Sequence, residues 1–360
     1  METIRLDLGA RSYEIAVGRG AWTALAELMA ERFPAARIFV VSDSNVASLY
    51  AARLAGHVPV EQPPFVIEAG EEAKNMETVT GLLTRLAQLG ANRQDVLLAL
   101  GGGVVGDITG FVAATYMRGI SYVQLPTTLL AMVDSSIGGK VGVDLPFAKN
   151  AVGAFWQPAA VIADIETLAT LPEPEYRAGW AEVAKYALVF DRELYEALLC
   201  AEDRIEAREI SFLHEVVMRC ATIKAAVVAE DERDTGARML LNYGHTFGHA
   251  LESLTGYLAY SHGEAVALGM LMAASYSEAA GIAAPGLVRK HRSLLDALAL
   301  GAIKGSHDGG ALRDLMRYDK KRTEVSRLVL LNDIAAPVIV EDPDEATLLV
   351  AIETTLQGGR

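Results

Sequence analysis

The first half of the chain alternates short apolar runs with longer amphipathic segments, and this alternation most restricts its fold. Residues 1–18 alternate apolar and polar side chains like a pair of strands, and residues 75–89 place their apolar side chains on one helical face. Buried runs of strand length occur at 37–43, 65–70, 95–100, 121–128 and 159–164. Strands that alternate with helices predict a mostly parallel sheet covered by helices on both sides.

The second half has helical periodicity almost throughout. From about Pro172 it predicts helices, with one strand-like piece at 327–333; the helical stretches are 175–200, 203–230, 237–256, 262–281 and 285–300. We therefore predict an α/β protein with a Rossmann-like sheet domain at 1–170 and a mainly helical domain at 171–360. The active site is expected in the cleft between them.

Composition and charge narrow the classes of partner. The chain has 360 residues, 51% of them hydrophobic, and a net charge of -14, which argues against nucleic acid or an anionic membrane as a partner. The N-terminus lacks the basic start and apolar run of a signal peptide, and no apolar run is long enough to cross a bilayer. Two cysteines make no disulfide framework. We expect a cytoplasmic protein with a small-molecule substrate.

A glycine-rich turn in "LLALGGGVVGD" joins a buried strand to a helix. Gly101, Gly103 and Gly106 have the G-x-G-x-x-G spacing, in which the backbone approaches a pyrophosphate and the helix N-terminus binds it. The acidic residue expected about 20 positions later is missing. Asp43, or Glu71 with Lys74, could replace it. The alternative is a tight turn that binds no ligand.

Three histidines lie in the apolar stretch 241–270, at His245, His249 and His262. The first two are four residues apart and share a helix face. Glu182 lies on another helix among apolar residues, where a carboxylate needs a partner. Two imidazoles and a carboxylate predict a catalytic zinc-type site, and spacing alone favours His245 and His249. The alternative is that these are hydrogen-bonded core histidines.

Several cations lie in weakly charged stretches of this acidic chain, namely Lys140, Lys149, Lys185, Lys224 and Arg238. They suggest a pocket for a polyanion that carries phosphate and carboxylate groups. The alternative for a lone lysine on an apolar helix, such as Lys224, is that it extends its ammonium to solvent. Asp107, Asp134 and Asp144 could equally be helix caps or turn residues.

Taken together, these segments closely resemble the 3-dehydroquinate synthase family, over nearly the whole chain. The likeness rests on "GEEAKN", "GGGVVGDITGFVAATYMRGI", "QLPTTLLAMVDSSIGGKVGVD", "KNAVGAFWQP", "AEVAKYALV", "RDTGARMLLNYGHTFGHALE", "SHGEAVALGM" and "DKK". It implies an NAD+-dependent enzyme with one divalent metal, Zn2+ or Co2+. The substrate would be 3-deoxy-D-arabino-heptulosonate 7-phosphate, and the products 3-dehydroquinate and phosphate.

The resemblance also implies roles for individual residues. The metal ligands would be Glu182, His245 and His262, which replaces the choice made from spacing, and His249 would lie beside the substrate. Arg118 would reach the neighbouring subunit's active site in a homodimer. The implied cofactor contacts are Asp43, Glu71, Lys74, Gly103, Val104, Val105, Gly106, Asp107, Thr127, Thr128, Asp134, Lys140 and Lys149. The implied substrate contacts are Lys140, Asn150, Lys185, Lys224, Arg238, Asn242, His249 and either Lys320 or Lys321.

Two other activities remain alternatives at this point. One is a sister sugar-phosphate cyclase that acts on sedoheptulose 7-phosphate or glucose 6-phosphate. Those substrates lack a carboxylate, whereas Lys224, Arg238 and Asn242 match the pattern for a substrate that has one. The other is a metal-dependent NAD polyol dehydrogenase, which would accumulate NADH.

Overall fold

A computed structural model describes residues 1–146, 148–320 and 326–358. Its contacts divide the chain into two compact units. The first unit comprises Met1–Pro172 and Ile210–Arg233, and the second comprises Glu173–Glu209 and Asp234–Arg360.

The first unit is built on a seven-stranded sheet. Its strands are β1 (Glu2–Leu6), β2 (Tyr13–Gly18), β3 (Ile38–Asp43), β4 (Phe65–Ile67), β5 (Val96–Gly101), β6 (Ser121–Pro126) and β9 (Ala160–Asp164), with a separate antiparallel hairpin of β7 (Lys140–Leu145) and β8 (Ala148–Phe155). The order across the sheet is β1-β2-β9-β6-β5-β3-β4, and only the β1–β2 pair is antiparallel. The predicted mostly parallel sheet is therefore confirmed.

Helices cover both faces of this sheet. The helices of the first unit are α1 (Thr23–Arg32), α2 (Ser44–Ala55), α3 (Met76–Gln88), α4 (Gly103–Thr115) and α8 (Ile210–Glu230). Successive residues of β5 point to opposite cores: Leu97 packs with α3 and α4, and Leu98 packs with α1 and α2. Because both faces are buried, the central strands are continuous apolar runs, which is why the sequence identifies them.

The second unit is mainly helical. It contains α5 (Glu173–Val189), α6 (Arg192–Leu198), α7 (Glu202–Glu206), α9 (His245–Leu254), α10 (His262–Ala279), α11 (Leu287–Ala297), α12 (Gly309–Lys320) and α13 (Glu345–Gln357), with the hairpin β10 (Arg327–Asp333) and β11 (Ala336–Glu341). Nearly every residue of α10 is buried, so this helix is apolar on all sides and forms the centre of the unit.

Helix α8 packs in the first unit, although its period placed it in the predicted helical domain at 171–360. Its Lys224 Nζ lies 2.8 Å from Asp134 Oδ1, and Glu232, just beyond its end, pairs with Arg11 at 2.6 Å. A helical period identifies an apolar face but not the surface that the face covers. The β7–β8 hairpin, β11, α12 and α13 were also not predicted. Among the described residues, no helix is both long and apolar enough to span a membrane.

Candidate active site

Three helices of the second unit bring one carboxylate to two imidazoles. Glu182 lies within α5, His245 begins α9, and His262 begins α10. Glu182 Oε1 is 3.4 Å from His245 Nε2 and 3.7 Å from His262 Nε2. A tetrahedral zinc site with bonds of about 2.0–2.1 Å places its ligand atoms roughly 3.4 Å apart. The spacing of the three donor atoms therefore fits a divalent ion.

The surroundings of Glu182 favour the binding of a cation by its carboxylate. The residue is 1% exposed, and neither carboxylate oxygen has a hydrogen bond of ordinary geometry among the described residues. Burial alone would raise the pKa of Glu182, but the charges of Lys185 and His245 lower it well below its usual range. Lys185, one turn later on α5 and itself 1% exposed, forms an ion pair with it. The carboxylate is thus ionised, as a metal ligand must be.

Both imidazoles present Nε2 to Glu182 and direct Nδ1 elsewhere. His245 Nδ1 lies 3.2 Å from the backbone oxygen of Tyr243, and His262 Nδ1 lies 3.5 Å from Glu252 Oε1. Burial would lower the pKa of His262, but the neighbouring carboxylates of Glu182 and Glu252 raise it to about 9.

Glu252 was not identified from the sequence, although a signal was available. It is a buried carboxylate in the apolar segment "HALESL", and it follows His245 by seven residues, so it lies on the same face of α9. Together with His249 and His262 it forms a second group whose ligand atoms lie within 4.8 Å of one another.

His249 occupies a different position from the two histidines that face Glu182. It is exposed, and its ring centroid lies 5.4 Å from that of His245 and 5.9 Å from that of His262. The geometry groups Glu182 with His245 and His262, whereas helical spacing alone favoured His245 with His249. The ligand assignment taken from the family resemblance has this grouping, and it stays a prediction.

Glycines allow these helices to approach so closely. A Cβ on Gly263 would lie 2.4 Å from the backbone oxygen of Ala178 in α5, and one on Gly269 would lie 2.0 Å from the backbone oxygen of Gly244 at the start of α9. Both contacts are with backbone atoms, which cannot rotate away. The approach of α10 to its two neighbours therefore depends on these positions having no side chain.

In the first unit, the glycine turn lies between the carboxyl end of β5 and α4. The predicted cofactor residues Gly103, Val104, Val105, Gly106 and Asp107 form the start of α4. A Cβ on Gly101 would lie 2.5 Å from the Val105 side chain, and a Cβ on Gly102 would lie 2.9 Å from that of Thr128. The turn is thus tight. It presents the N-terminal amides of a 13-residue helix at the carboxyl ends of the parallel strands.

A buried lysine joins predicted cofactor and substrate residues. Lys74 Nζ lies 2.7 Å from Asp107 Oδ2 and donates a hydrogen bond of 2.6 Å to Asn150 Oδ1. Burial would lower the pKa of Lys74, but the carboxylates of Asp107, Glu71 and Asp144 raise it above its usual value. Lys74 therefore neutralises a carboxylate in the first turns of α4, where an anionic ligand would otherwise be repelled.

A second ion pair lies beyond β6. Lys224 donates to the backbone oxygen of Asp134 at 2.6 Å as well as pairing with its carboxylate, and Asp134 belongs to the π-helical segment Ala131–Ser135. The hydroxyl of Thr127 is buried and has no hydrogen-bond partner among the described residues, whereas that of Thr128 accepts from Ala131 N at 3.2 Å.

The remaining predicted residues lie at separate positions. Asp43 ends β3, and its Oδ1 caps α2 by accepting from the amides of Asn45 and Val46 at 2.9 and 2.8 Å. In the short helix Ala237–Asn242, Arg238 is buried and Asn242 is exposed. Lys320 ends α12, and Lys321 lies outside the described residues. Glu71, Arg118, Lys140 and Lys149 are also exposed.

Comparisons with known proteins identify the family. A family model described as "3-dehydroquinate synthase N-terminal" matches residues 64–178, and one described as "3-dehydroquinate synthase C-terminal" matches residues 179–322. The 3-dehydroquinate synthase of Pelobacter propionicus is 43% identical over 356 residues, which cover 98% of this chain and 99% of the relative.

Solved structures of related cyclases share the whole fold. A 2-deoxy-scyllo-inosose synthase complexed with carbaglucose-6-phosphate, NAD+ and Co2+ is 29% identical, with a TM-score of 0.87 over 99% of this chain and 100% of that one. The 2-epi-5-epi-valiolone synthase of Streptomyces hygroscopicus, with NAD+ and Zn2+ bound, is also 29% identical, with a TM-score of 0.86 over 96% and 97% of the two chains. Full-length identity and both family models agree, so this chain belongs to the 3-dehydroquinate synthase family.

Proposed function

We propose that this chain converts 3-deoxy-D-arabino-heptulosonate 7-phosphate to 3-dehydroquinate and phosphate, using NAD+ and one divalent ion. The observation that carries the proposal is the buried Glu182 carboxylate, which faces His245 Nε2 at 3.4 Å and His262 Nε2 at 3.7 Å. A carboxylate with two imidazoles leaves one position of a tetrahedral ion open for a substrate oxygen, as catalytic zinc sites do.

Glu182, His245 and His262 would hold the ion. One carboxylate and two imidazoles suit Zn2+ or Co2+, and both ions occur in the related cyclases. When bound, the ion would supply Lewis-acid polarisation of a substrate hydroxyl, and NAD+ would supply a reversible hydride acceptor. The protein's own part is to position the reacting groups and to neutralise charge.

The glycine turn of the first unit would hold the diphosphate of NAD+. Amides at the start of α4 would donate to the diphosphate, and Lys74 pairs with Asp107 of the same helix. Oδ2 of Asp43, whose other oxygen caps α2, would accept from a ribose hydroxyl. Glu71, Thr127, Thr128, Asp134, Lys140 and Lys149 keep the cofactor roles that the family resemblance implies.

Cations and one histidine would manage charge on the substrate. Lys185, buried beside Glu182, can stabilise negative charge that develops on the substrate hydroxyl. His249 is exposed beside the two ligand imidazoles, where its ring can hydrogen-bond the substrate and transfer a proton. Asn150, Lys224, Arg238, Asn242 and Lys320 complete the proposed substrate contacts.

Substrate preference distinguishes the proposed activity from that of a sister cyclase. The TM-score of 0.87 to 2-deoxy-scyllo-inosose synthase is the observation that favours the alternative. Phosphate release should be measured with the heptulosonate phosphate, sedoheptulose 7-phosphate and glucose 6-phosphate in parallel. We expect phosphate release only with the heptulosonate phosphate and none after the metal is chelated. The absorbance of NADH at 340 nm should show no net increase. Turnover of either other sugar, or accumulating NADH, would contradict the proposal.

The metal assignment has its own test. Glu182→Ala should abolish turnover and remove Co2+ binding, because it deletes the anionic ligand. Glu175→Ala is the matched control, since Glu175 is an exposed carboxylate on the same helix. Turnover that survives in Glu182→Ala would show that the ligand set is wrong.

We also propose a homodimer in which Arg118 serves the neighbouring active site. Arg118 is exposed and has a left-handed φ of 66°. Arg118→Ala and Glu182→Ala should each be inactive. If they are mixed and exchange subunits, each hybrid has one intact site, so activity should return to about a quarter of the wild-type value. No recovery despite proven exchange would mean that Arg118 does not act across the dimer.

A further inference from the structure

The two imidazoles that face Glu182 share an arrangement that their ligand role alone does not require. Each directs Nε2 to the carboxylate and Nδ1 to an acceptor. For His245 the acceptor is the backbone oxygen of Tyr243 at 3.2 Å, and for His262 it is Glu252 Oε1 at 3.5 Å.

An acceptor at Nδ1 determines what Nε2 can do. A neutral imidazole has one N–H and one lone pair, so a proton held at Nδ1 leaves the lone pair at Nε2. Such an acceptor also fixes the orientation of the ring and makes its free nitrogen a stronger ligand. His245 obtains this from the backbone, which no substitution removes. His262 depends on a side chain.

We propose that Glu252 is a positioning residue that holds His262 in the Nδ1–H tautomer, with Nε2 directed at the ion. The inference rests on the proposed metal site of Glu182, His245 and His262. Glu252 is 3% exposed, and its helix is held against α10 where a Cβ on Gly248 would lie 3.1 Å from the backbone of Ala265. The α9 backbone that carries Glu252 therefore lies close to α10, which begins at His262.

Two other roles for Glu252 make different predictions. A carboxylate that only filled space would leave Co2+ affinity unchanged when it is removed. A carboxylate that bound a second ion with His249 and His262 would require His262 to use both ring nitrogens as ligands. The number of ions bound separates that role from a positioning role.

The experiment measures metal binding in the full chain, independently of turnover. Glu252→Ala and Glu252→Gln are titrated with Co2+ against a chelator, the visible absorption of bound Co2+ is recorded, and the tautomer of His262 in the Zn2+ form is read from 15N chemical shifts. The control is Glu278→Gln: this carboxylate accepts from the amides of Gly286 and Val288 at 2.9 and 2.8 Å, roughly 24 Å along α10 from His262.

We expect Glu252→Ala to bind Co2+ about 10–100-fold more weakly, with a changed spectrum and loss of the pure Nδ1–H form. Glu252→Gln should lose less, because its amide oxygen still accepts, and Glu278→Gln should bind as the wild type does. Glu252→Gln is nearly isosteric, so it remains informative if the alanine variant does not fold.

Wild-type affinity and spectrum in a folded Glu252→Ala protein would overturn the inference and leave the proposed function intact. Two ions in the wild type and one in the variant would also overturn it, since Glu252 would then be a ligand. A wild type that binds no Co2+ would instead remove the proposed metal site itself, and this inference with it.

Discussion

Replacing Gly263 with alanine tests whether the close approach of α10 to α5 is what brings His262 to Glu182. The added Cβ would lie 2.4 Å from the oxygen and 2.6 Å from the Cα of Ala178. Non-bonded carbon contacts are favourable at about 3.5 Å or more, so the start of α10 must move by roughly 1 Å. His262 is the preceding residue, and it moves with the backbone.

The displacement is large for a metal site. His262 Nε2 already lies 3.7 Å from Glu182 Oε1, and a further 1 Å exceeds the tolerance of about 0.5 Å for a functional constellation. We expect Co2+ affinity to fall at least tenfold, because the loss of an outer contact to a ligand alone costs about 10–100-fold. Overpacking should lower the free energy of unfolding by about 1–3 kcal/mol.

Co2+ titration and thermal unfolding of the purified variant measure both effects. Gly81→Ala is the control, since this glycine lies within α3 and a Cβ there would meet nothing within 4 Å. Alanine at that position should raise the free energy of unfolding by up to about 1 kcal/mol and leave Co2+ binding unchanged. Wild-type Co2+ affinity in Gly263→Ala would refute the role given to this helix contact.

Two further predictions concern buried titratable side chains. Burial lowers the pKa of His291 to about 4, and its Nε2 contacts the Tyr243 hydroxyl at 2.7 Å. The unfolded chain takes up this proton near pH 6.5, so the stability that neutral His291 contributes is complete above pH 6.5 and falls by up to about 3 kcal/mol as the pH drops to 4. Denaturant unfolding across this range should show that His291→Gln loses this part of the pH dependence; an unchanged slope would contradict the assignment. Lys74→Met should lower the free energy of unfolding by about 3 kcal/mol and weaken NAD+ binding, because it leaves the Asp107 charge unpaired. Lys74→Met combined with Asp107→Asn should be less damaged than Lys74→Met alone, and additive losses in this cycle would show that the pair is not coupled.

The sheet could be predicted from the sequence because the physics of its strands is local. β5 is buried on both faces, so all six of its residues had to be apolar or glycine, and the run is visible without any knowledge of its neighbours. β8 is different: along "AKNAVGAF" five residues are exposed and three are partly buried, and the partly buried ones do not alternate regularly. A periodicity argument has little to detect there.

The long-range polar contacts of the first unit could not be predicted from the sequence, for a related reason. Lys74 and Asn150 are 76 positions apart, and Lys224 and Asp134 are 90 apart. Each residue was singled out from its own segment: Lys74 as a possible cofactor contact, Asn150 and Lys224 in weakly charged stretches, and Asp134 as a cap or turn residue. Which carboxylate each one meets depends on how the sheet and α8 pack.

The choice between His249 and His262 shows where such reasoning stops and what extends it. Helical spacing ranks His249 with His245 because a shared helix face is a local property. An ion, however, needs donor atoms that converge from different helices, and that depends on how closely the helix axes approach. The sequence does carry a sign of this approach, because His262 is followed by Gly263 at the start of a helix in which glycine is otherwise unfavourable by about 1 kcal/mol. A glycine next to a candidate ligand indicates that another backbone can pass there, but Gly248 also precedes His249, so glycine identifies the close approach of α9 and α10 without deciding which histidine faces Glu182.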